Sequence, residues 1–183
     1  MIKFIRVFVL SLSLGALLCY VGSASAESSS VVGGSASVRL DFAIDIPSVL
    51  FLQVGTAGAT IDTVTFGVTN VPGTGAVAGT SSGANPLPVQ VSGLVGAGAT
   101  ITLTADSLTP LTDGANNIPF DEISWTAGGA FSGGTFTNNA AQQLDQFTGS
   151  GDRIGTYSFS YDNDTYYPAG VYAGRVTYTL SSP

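Results

Sequence analysis

The dominant pattern along the chain is an alternation of apolar and polar residues, the period of a β-strand with one buried face. The longest such run places its apolar side chains on one face: Val38, Leu40, Phe42, Ile44 and Ile46. Mostly polar residues face the other way, and Pro47 is expected to end or bend the strand. The pattern predicts a half-buried strand over residues 38–46.

The rest of the chain predicts further short strands and almost no helix. Residues 49–54 are nearly all apolar, which favours a strand buried on both faces. Shorter alternating runs follow at Val64–Val68, Leu87–Val91, Ile101–Leu103, Ile123–Trp125, Tyr157–Tyr161 and Val176–Leu180. Pairs of Gly, Pro and Asp mark turns between them, and Gly73–Ala84 is predicted as a loop. Only Asn139–Phe147 suggests a single helical turn. The pattern predicts an all-β fold, one antiparallel β-sandwich of about eight to ten strands.

The first 26 residues have the pattern of a secretory signal peptide. Lys3 and Arg6 precede an apolar stretch over residues 7–21, and Ala24-Ser25-Ala26 forms an A-x-A cleavage site. The stretch is shorter than the roughly 20 residues that span a bilayer. We therefore expect residues 1–26 to be cleaved and residues 27–183 to form a single domain, secreted to the cell surface or the extracellular space and periplasmic in transit. No integral membrane segment is expected after cleavage.

Composition after residue 26 removes most catalytic chemistry. The sequence from 27 to 183 contains no His, Lys, Cys or Met, and its cations are Arg39, Arg153 and Arg175. Imidazole, thiolate and amine groups are therefore missing as bases, nucleophiles and soft-metal ligands. The formal net charge of this part is 3 − 12 = −9, which disfavours nucleic acid as a partner. We expect neither enzymatic activity nor a cofactor.

Two chemical sites can still be read from the residues after position 26. Asp162 and Asp164 could share a calcium ion through hard oxygen ligands, although ordinary turn chemistry explains the same Asp-Asn-Asp sequence. All six tyrosines of this part lie between Tyr157 and Tyr178. The members in or beside the predicted turn form a candidate contact surface: Tyr166, Tyr167 and Tyr172.

Both ends of the predicted domain resemble known surface proteins. Ser37 to Phe42, followed by Ile46-Pro47, resembles the opening of bacterial fimbrial-type domains, and the segment from Gly170 to Leu180 resembles the last strand of pilins and of WxL-type cell-wall domains. The cysteine pair common in pilins is missing, and Tyr178-Thr179-Leu180 stands where WxL domains have Trp-x-Leu. The resemblance implies an immunoglobulin-like or pilin-like sandwich at the bacterial surface.

These features lead to two competing functions. The first is an exported structural or adhesive protein, a subunit of a fimbria-like fibre or extracellular matrix that assembles with itself or other fibre subunits by strand addition. Residues 38–46 would be the donated strand, although they could equally be an ordinary first strand within their own domain. The second is a monomeric cell-surface binding module for a glycan or cell-wall polymer, with the three turn tyrosines as its contact surface.

Overall fold

The structure, a computed structural model, describes residues 28–183, and its regular secondary structure in that range is almost entirely β-strand. The strands are β1 (Val49–Val54), β2 (Val64–Thr65), β3 (Val77–Ala78), β4 (Thr80–Ser81), β5 (Leu87–Leu94), β6 (Thr100–Asp106), β7 (Leu111–Thr112), β8 (Asn117–Ile118), β9 (Ile123–Gly129), β10 (Gly134–Thr135), β11 (Gln142–Thr148), β12 (Gly151–Tyr161) and β13 (Thr177–Ser181). A single turn of 3₁₀-helix covers Phe120–Glu122. The prediction of an all-β fold is confirmed.

All paired strands are antiparallel, and two sheets contain the longer ones. The larger sheet has the order β1-β5-β12-β9-β10, with β3 also pairing with β12, and the smaller sheet has the order β11-β6-β13. The strands β2 and β4 form one two-stranded ribbon, and β7 and β8 form another. Within residues 28–183, β1 and β13 are therefore edge strands of the two different sheets.

The core lies between the inward faces of these two sheets. Val89 and Val91 of the larger sheet and Ile101 and Leu103 of the smaller one are at most 1% exposed. They belong to one cluster with the aromatic residues Phe120, Trp125, Phe131, Phe136, Tyr157 and Tyr161. Alternation along β5 and β6 produced this arrangement, since every second residue points inward and is apolar. The predicted strands at 87–91 and 101–103 are confirmed, and both are longer than the pattern indicated.

The chain divides into two compact units at Asp45 and Ile46, and every described strand lies in the second. The predicted strand over residues 38–46 does not form: the structure has neither strand nor helix between Ser28 and Ser48. Its apolar residues are largely exposed, Phe42 at 85% and Ile44 at 86%. An alternating pattern makes a strand only where backbone partners and a covering layer exist, and this segment has no strand partner. The predicted signal peptide lies outside the described residues.

Three other sequence interpretations are corrected. The strand β1 forms as predicted but is not buried on both faces: Val49 is 53% and Phe51 is 48% exposed, because this face of the sheet is open there, as Leu94 opposite Val49 is 45% exposed too. The segment Asn139–Phe147 is not a helical turn, since most of it belongs to β11. The predicted loop Gly73–Ala84 contains the short strands β3 and β4.

No helix in residues 28–183 is long and apolar enough to cross a membrane.

Tyr157 → Phe is expected to stabilise the protein by about 1–2 kcal/mol, because the Tyr157 hydroxyl is buried without a hydrogen-bond partner in the described structure. Burial, followed by the charge of Asp145, raises the pKa of Tyr157 to about 12. The neutral phenol therefore supports the fold below about pH 10, and this contribution is lost as the pH rises towards 12. The advantage of the Phe variant should grow over that pH range.

Urea unfolding at pH 7, 10 and 11 measures this difference. Tyr167→Phe is the matched control, since the Tyr167 hydroxyl donates a 2.7 Å hydrogen bond to Glu122 Oε1 and its removal should destabilise the fold by about 1 kcal/mol. If Tyr157→Phe lowers the free energy of unfolding as much as the control does, the Tyr157 hydroxyl has a partner and the prediction is wrong.

Candidate functional site

An open cleft with an apolar floor lies between β1 and the residues around the start of β13. It has a volume of about 670 Å³ and is walled by residues 51–54 of β1 on one side and by residues 174–178, which lead into β13, on the other. Both strands are edges, so their outward backbone groups have no ladder partner within the described chain. The cleft therefore combines unpaired strand edges with an apolar interior.

Aromatic side chains form the floor of the cleft. Phe120 and Phe136 meet edge to face at 5.8 Å between ring centroids, and Phe136 stacks with Phe159 at 6.2 Å. All three line the cleft, as does Ile123. Tyr178 adds its ring from the wall, and burial raises the pKa of its hydroxyl far above the usual value, with Tyr157 contributing. The hydroxyl therefore stays neutral, and neither the floor nor the Tyr178 ring carries a charge.

A polar loop forms the rim on the β1 side. Residues 56–62 leave the sheet after Gly55, whose φ of 99° is easily adopted only by glycine. A Cβ atom at Gly55 would also lie 2.6 Å from Asp62 Oδ2, so the position accepts no side chain without a shift of Asp62. Asp62 holds the loop closed by accepting a hydrogen bond from the Thr56 amide. The rim is thus a short loop closed by a hydrogen bond between its own residues, and it does not continue β1.

Arg175 provides a positive charge on the rim opposite residues 56–62. Arg175 lines the cleft and is exposed, and none of the salt bridges found among residues 28–183 uses it. Arg153, in contrast, binds both carboxylate oxygens of Asp145 at 2.6 and 2.7 Å and lies 5.0 Å from the Phe147 ring centroid. Arg153 is thus engaged within the domain, whereas Arg175 faces the cleft. Sequence reasoning missed Arg175 and the cleft floor, because both depend on distant segments meeting.

The structure brings together only part of the predicted contact surface. Tyr166 is 79% exposed. Tyr167 donates its hydroxyl hydrogen to Glu122 and Tyr172 donates its own to the Pro168 carbonyl at 2.8 Å, and both rings pack against the core cluster. Burial raises the pKa of Tyr167, and the hydrogen bond to Glu122 adds to this effect. Two of the three tyrosines therefore have structural contacts, and Tyr166 alone projects freely.

The Asp162-Asn163-Asp164 segment is held as a structural turn. Asn163 is 3% exposed, and its side-chain amide donates to the carbonyls of Asn70 and Val71 at 3.4 Å each. Its own carbonyl accepts from the Gly73 amide at 2.6 Å. Among residues 28–183 no group of three or more acidic side chains gathers there or elsewhere in a metal-binding arrangement. The geometry is that of the turn interpretation; calcium binding by Asp162 and Asp164 stays a hypothesis.

The fold and the cleft define the class of protein: an antiparallel, sandwich-like β protein with an apolar cleft open between the edges of its two sheets. Comparison with protein-family models, with curated proteins and with solved structures finds no match to this chain. Its function must therefore be argued from the cleft and from the exposed segment at residues 38–46.

Proposed function

We propose that this chain is an exported structural subunit of a bacterial surface fibre or matrix, and that its subunits assemble by strand addition. The observation that carries the proposal is the exposed segment at residues 38–46. It has the alternation of a strand, it has no strand partner, and its five apolar side chains are 58–86% exposed. Each such side chain gains about 1.5–3 kcal/mol on burial, so the segment has a strong tendency to find a covering surface.

The cleft between β1 and β13 has the properties of an acceptor for such a strand. An inserted strand would meet unpaired backbone groups at the sheet edge, and its apolar face would cover Phe120, Phe136 and Phe159. A small ligand would also gain from the apolar floor, but it would leave the edge backbone groups unpaired. The combination of a free edge and an apolar floor therefore favours a strand as the occupant.

The far edges of the two main sheets are poor acceptors. On the far side of the smaller sheet, β11 carries a register shift between Gln143 and Asp145, and such bulges bend an edge and disrupt its pairing. The Asp145 carboxylate at this place is bound by Arg153. On the far side of the larger sheet, β10 has two residues only. Strand addition is therefore directed to the cleft, which gives a polymer a single kind of contact.

The alternative of a glycan-binding module has weaker support. It depended on a surface of three tyrosines, and Tyr167 and Tyr172 have hydrogen-bond partners within the domain. Tyr166 remains as a single exposed ring. Sugar-binding surfaces generally need several convergent groups, so we retain this function only as an outcome of the test below.

The proposal is tested by placing a charge on either face of residues 38–46, the donor segment. Phe42→Asp with Ile44→Asp puts carboxylates on the apolar face, and this variant should lose any polymer because the charges would be buried in the cleft. Ala43→Asp is the control for the choice of face, since it adds a single carboxylate to the opposite side of the same segment. Electron microscopy and native mass distributions of the exported protein measure the outcome, with deletion of residues 27–46 as a further arm.

The polymer should disappear in the Phe42/Ile44 variant and in the deletion, and should persist with Ala43→Asp. Export should continue in all three. Persistence of fibres without residues 27–46 would overturn the donor assignment. A wild-type protein that stays monomeric while binding cell-wall polysaccharide, with loss of binding in Tyr166→Ala, would replace it with the glycan-binding function.

A further inference from the structure

The two faces of β13 differ in a way that restricts how a donated strand can lie beside it. Val176, Tyr178 and Leu180 are partly buried and pack against the core cluster. The residues that alternate with them are exposed, namely Arg175, which like Val176 precedes β13, and Thr177 and Thr179 within it. The donor segment has the same division, with apolar residues at even positions from 38 to 46 and polar or small residues between them. In a strand pair, directly opposite residues share a face, so even positions must oppose even positions.

We propose that residues 38–46 of a second copy pair antiparallel with β13 in the register that places Asp45 opposite Arg175, an ion pair that selects both register and direction. This inference rests on the proposed function. The register sets Ile44 against Val176, Phe42 against Tyr178 and Leu40 against Leu180. It therefore sets three apolar residues of the donor beside the core-packed residues of this edge and places one carboxylate beside the one rim arginine.

Other registers that pair a donor carboxylate with Arg175 use the segment less well. A parallel donor with Asp41 opposite Arg175 would put Pro47 opposite Ser181, inside the ladder, where proline cannot donate a hydrogen bond. An antiparallel donor with Asp41 opposite Arg175 would carry Phe42 and Ile44 past the start of β13. A parallel donor with Asp45 opposite Arg175 would place Pro47 opposite Thr177, so residues 38–46 would all lie before the start of β13. The proposed register keeps Pro47 outside β13 and sets Leu40, Phe42 and Ile44 opposite Leu180, Tyr178 and Val176.

The direction of β1 relative to β13 makes the donor a different molecule. Leu50 pairs with Gly93, and a Cβ atom at Gly93 would contact both Leu50 and Ile101, so the start of β1 lies over the start of β6. The end of β13 pairs with the start of β6, as Ser181 opposes Thr102. The strands β1 and β13 are therefore antiparallel, and a donor antiparallel to β13 runs parallel to β1.

In the proposed register Ile46 would lie near the end of β1, so the chain would have to return about 17 Å along β1 to reach Val49, whereas three residue steps span at most about 11 Å. Only Pro47 and Ser48 join Ile46 to Val49, so a chain cannot place its own segment in the proposed register. A tight hairpin with its own β1 would need a positive φ at the first loop position, which proline cannot adopt. The short link formed by Pro47 and Ser48 therefore favours donation of the segment to a second copy, rather than its insertion into the cleft of the same chain.

Charge reversal in the full exported chain tests the register. Asp45→Arg and Arg175→Glu should each raise the concentration needed for assembly by about three- to tenfold, since an exposed cross-strand ion pair is lost and like charges face each other. The double variant Asp45→Arg/Arg175→Glu should return to within about twofold of wild type. Asp41→Arg is the matched control: it changes the net charge equally, but Thr179 would oppose it. The differences should shrink in about 1 M salt, which screens exposed charges.

Sedimentation and electron microscopy across a concentration series measure assembly, and thermal unfolding checks that each variant folds. Rescue of Arg175→Glu by Asp41→Arg as well as by Asp45→Arg would overturn the register, and so would unchanged assembly in both single variants. In both cases the wild type would still form polymers, so strand addition would stand. A wild type that forms no polymer at any concentration would overturn the register and the proposed function together.

Discussion

A synthetic peptide of residues 37–47 is expected to stabilise the Phe42→Asp/Ile44→Asp chain by about 2.7 kcal/mol when free peptide is at a hundred times its dissociation constant. That chain keeps the cleft intact, because the cleft is lined by residues between Phe51 and Tyr178, but it lacks a usable donor. A peptide that binds the folded cleft and has no site on the unfolded chain raises the free energy of unfolding by mass action. The melting temperature should rise by about 5–10 °C.

The control peptide carries the same two aspartates and should leave the melting temperature unchanged at equal concentration. Added to the wild-type protein, the unmodified peptide should also shorten polymers by occupying clefts at their growing ends. Differential scanning calorimetry and electron microscopy measure the two effects. If the unmodified and the control peptides stabilise the chain equally, the cleft does not recognise the alternating face, and it is not a strand acceptor.

Trp125→Ala is expected to lower the free energy of unfolding by about 3–5 kcal/mol. Trp125 lies on β9 and is 6% exposed. The centroid of its ring lies 4.8 Å from that of Phe136 and 6.1 Å from that of Tyr157. Its indole N–H donates a hydrogen bond to the Ser132 carbonyl at 3.0 Å. Truncation removes these contacts and leaves a cavity between the sheets that the rigid strands cannot close. Because Trp125 packs on Phe136, the cleft floor should loosen as well, and peptide affinity should fall.

Urea unfolding measures the loss, and Trp125→Phe provides a milder variant if the alanine form does not accumulate. Tyr166→Ala is the matched control: it removes a large aromatic ring that is 79% exposed, and the free energy of unfolding should stay within about 0.5 kcal/mol of wild type. An equal loss in the two alanine variants would mean that Trp125 is not part of the packed core.

Local sequence pattern predicted most of the longer strands, the edge strands β1 and β13 included, and failed at β11 and at residues 38–46. In β5 and β6 the inward residues are consistently apolar, and a buried strand with neighbours on both sides follows its own alternation. The strand β11 escaped prediction because its sequence, Gln-Gln-Leu-Asp-Gln-Phe-Thr, has few apolar residues and is stabilised by pairing with β6. The segment at residues 38–46 shows the opposite case, a strong pattern without a partner.

The candidate site was only half visible in the sequence. The donor segment could be recognised because its alternation is local and continuous. The acceptor could not, since Phe120, Phe136 and Phe159 come from separate parts of the chain and meet only when the two sheets pack. Likewise, the Asp-Asn-Asp segment could be read as ligands or as a turn. Burial of Asn163 against the Asn70 and Val71 carbonyls depends on the tertiary structure.

The sequence by itself determined the all-β class, the residues that point inward along the central strands, the absence of most catalytic side chains and the donor-like segment. These properties follow from residue type and from a period of two, both of which are local. Only the tertiary structure decided which strands are edges, where the cleft opens and that Arg175 stands on its rim. Sheet order and the packing of one sheet on another join residues far apart in the chain, and local pattern carries no information about that distance.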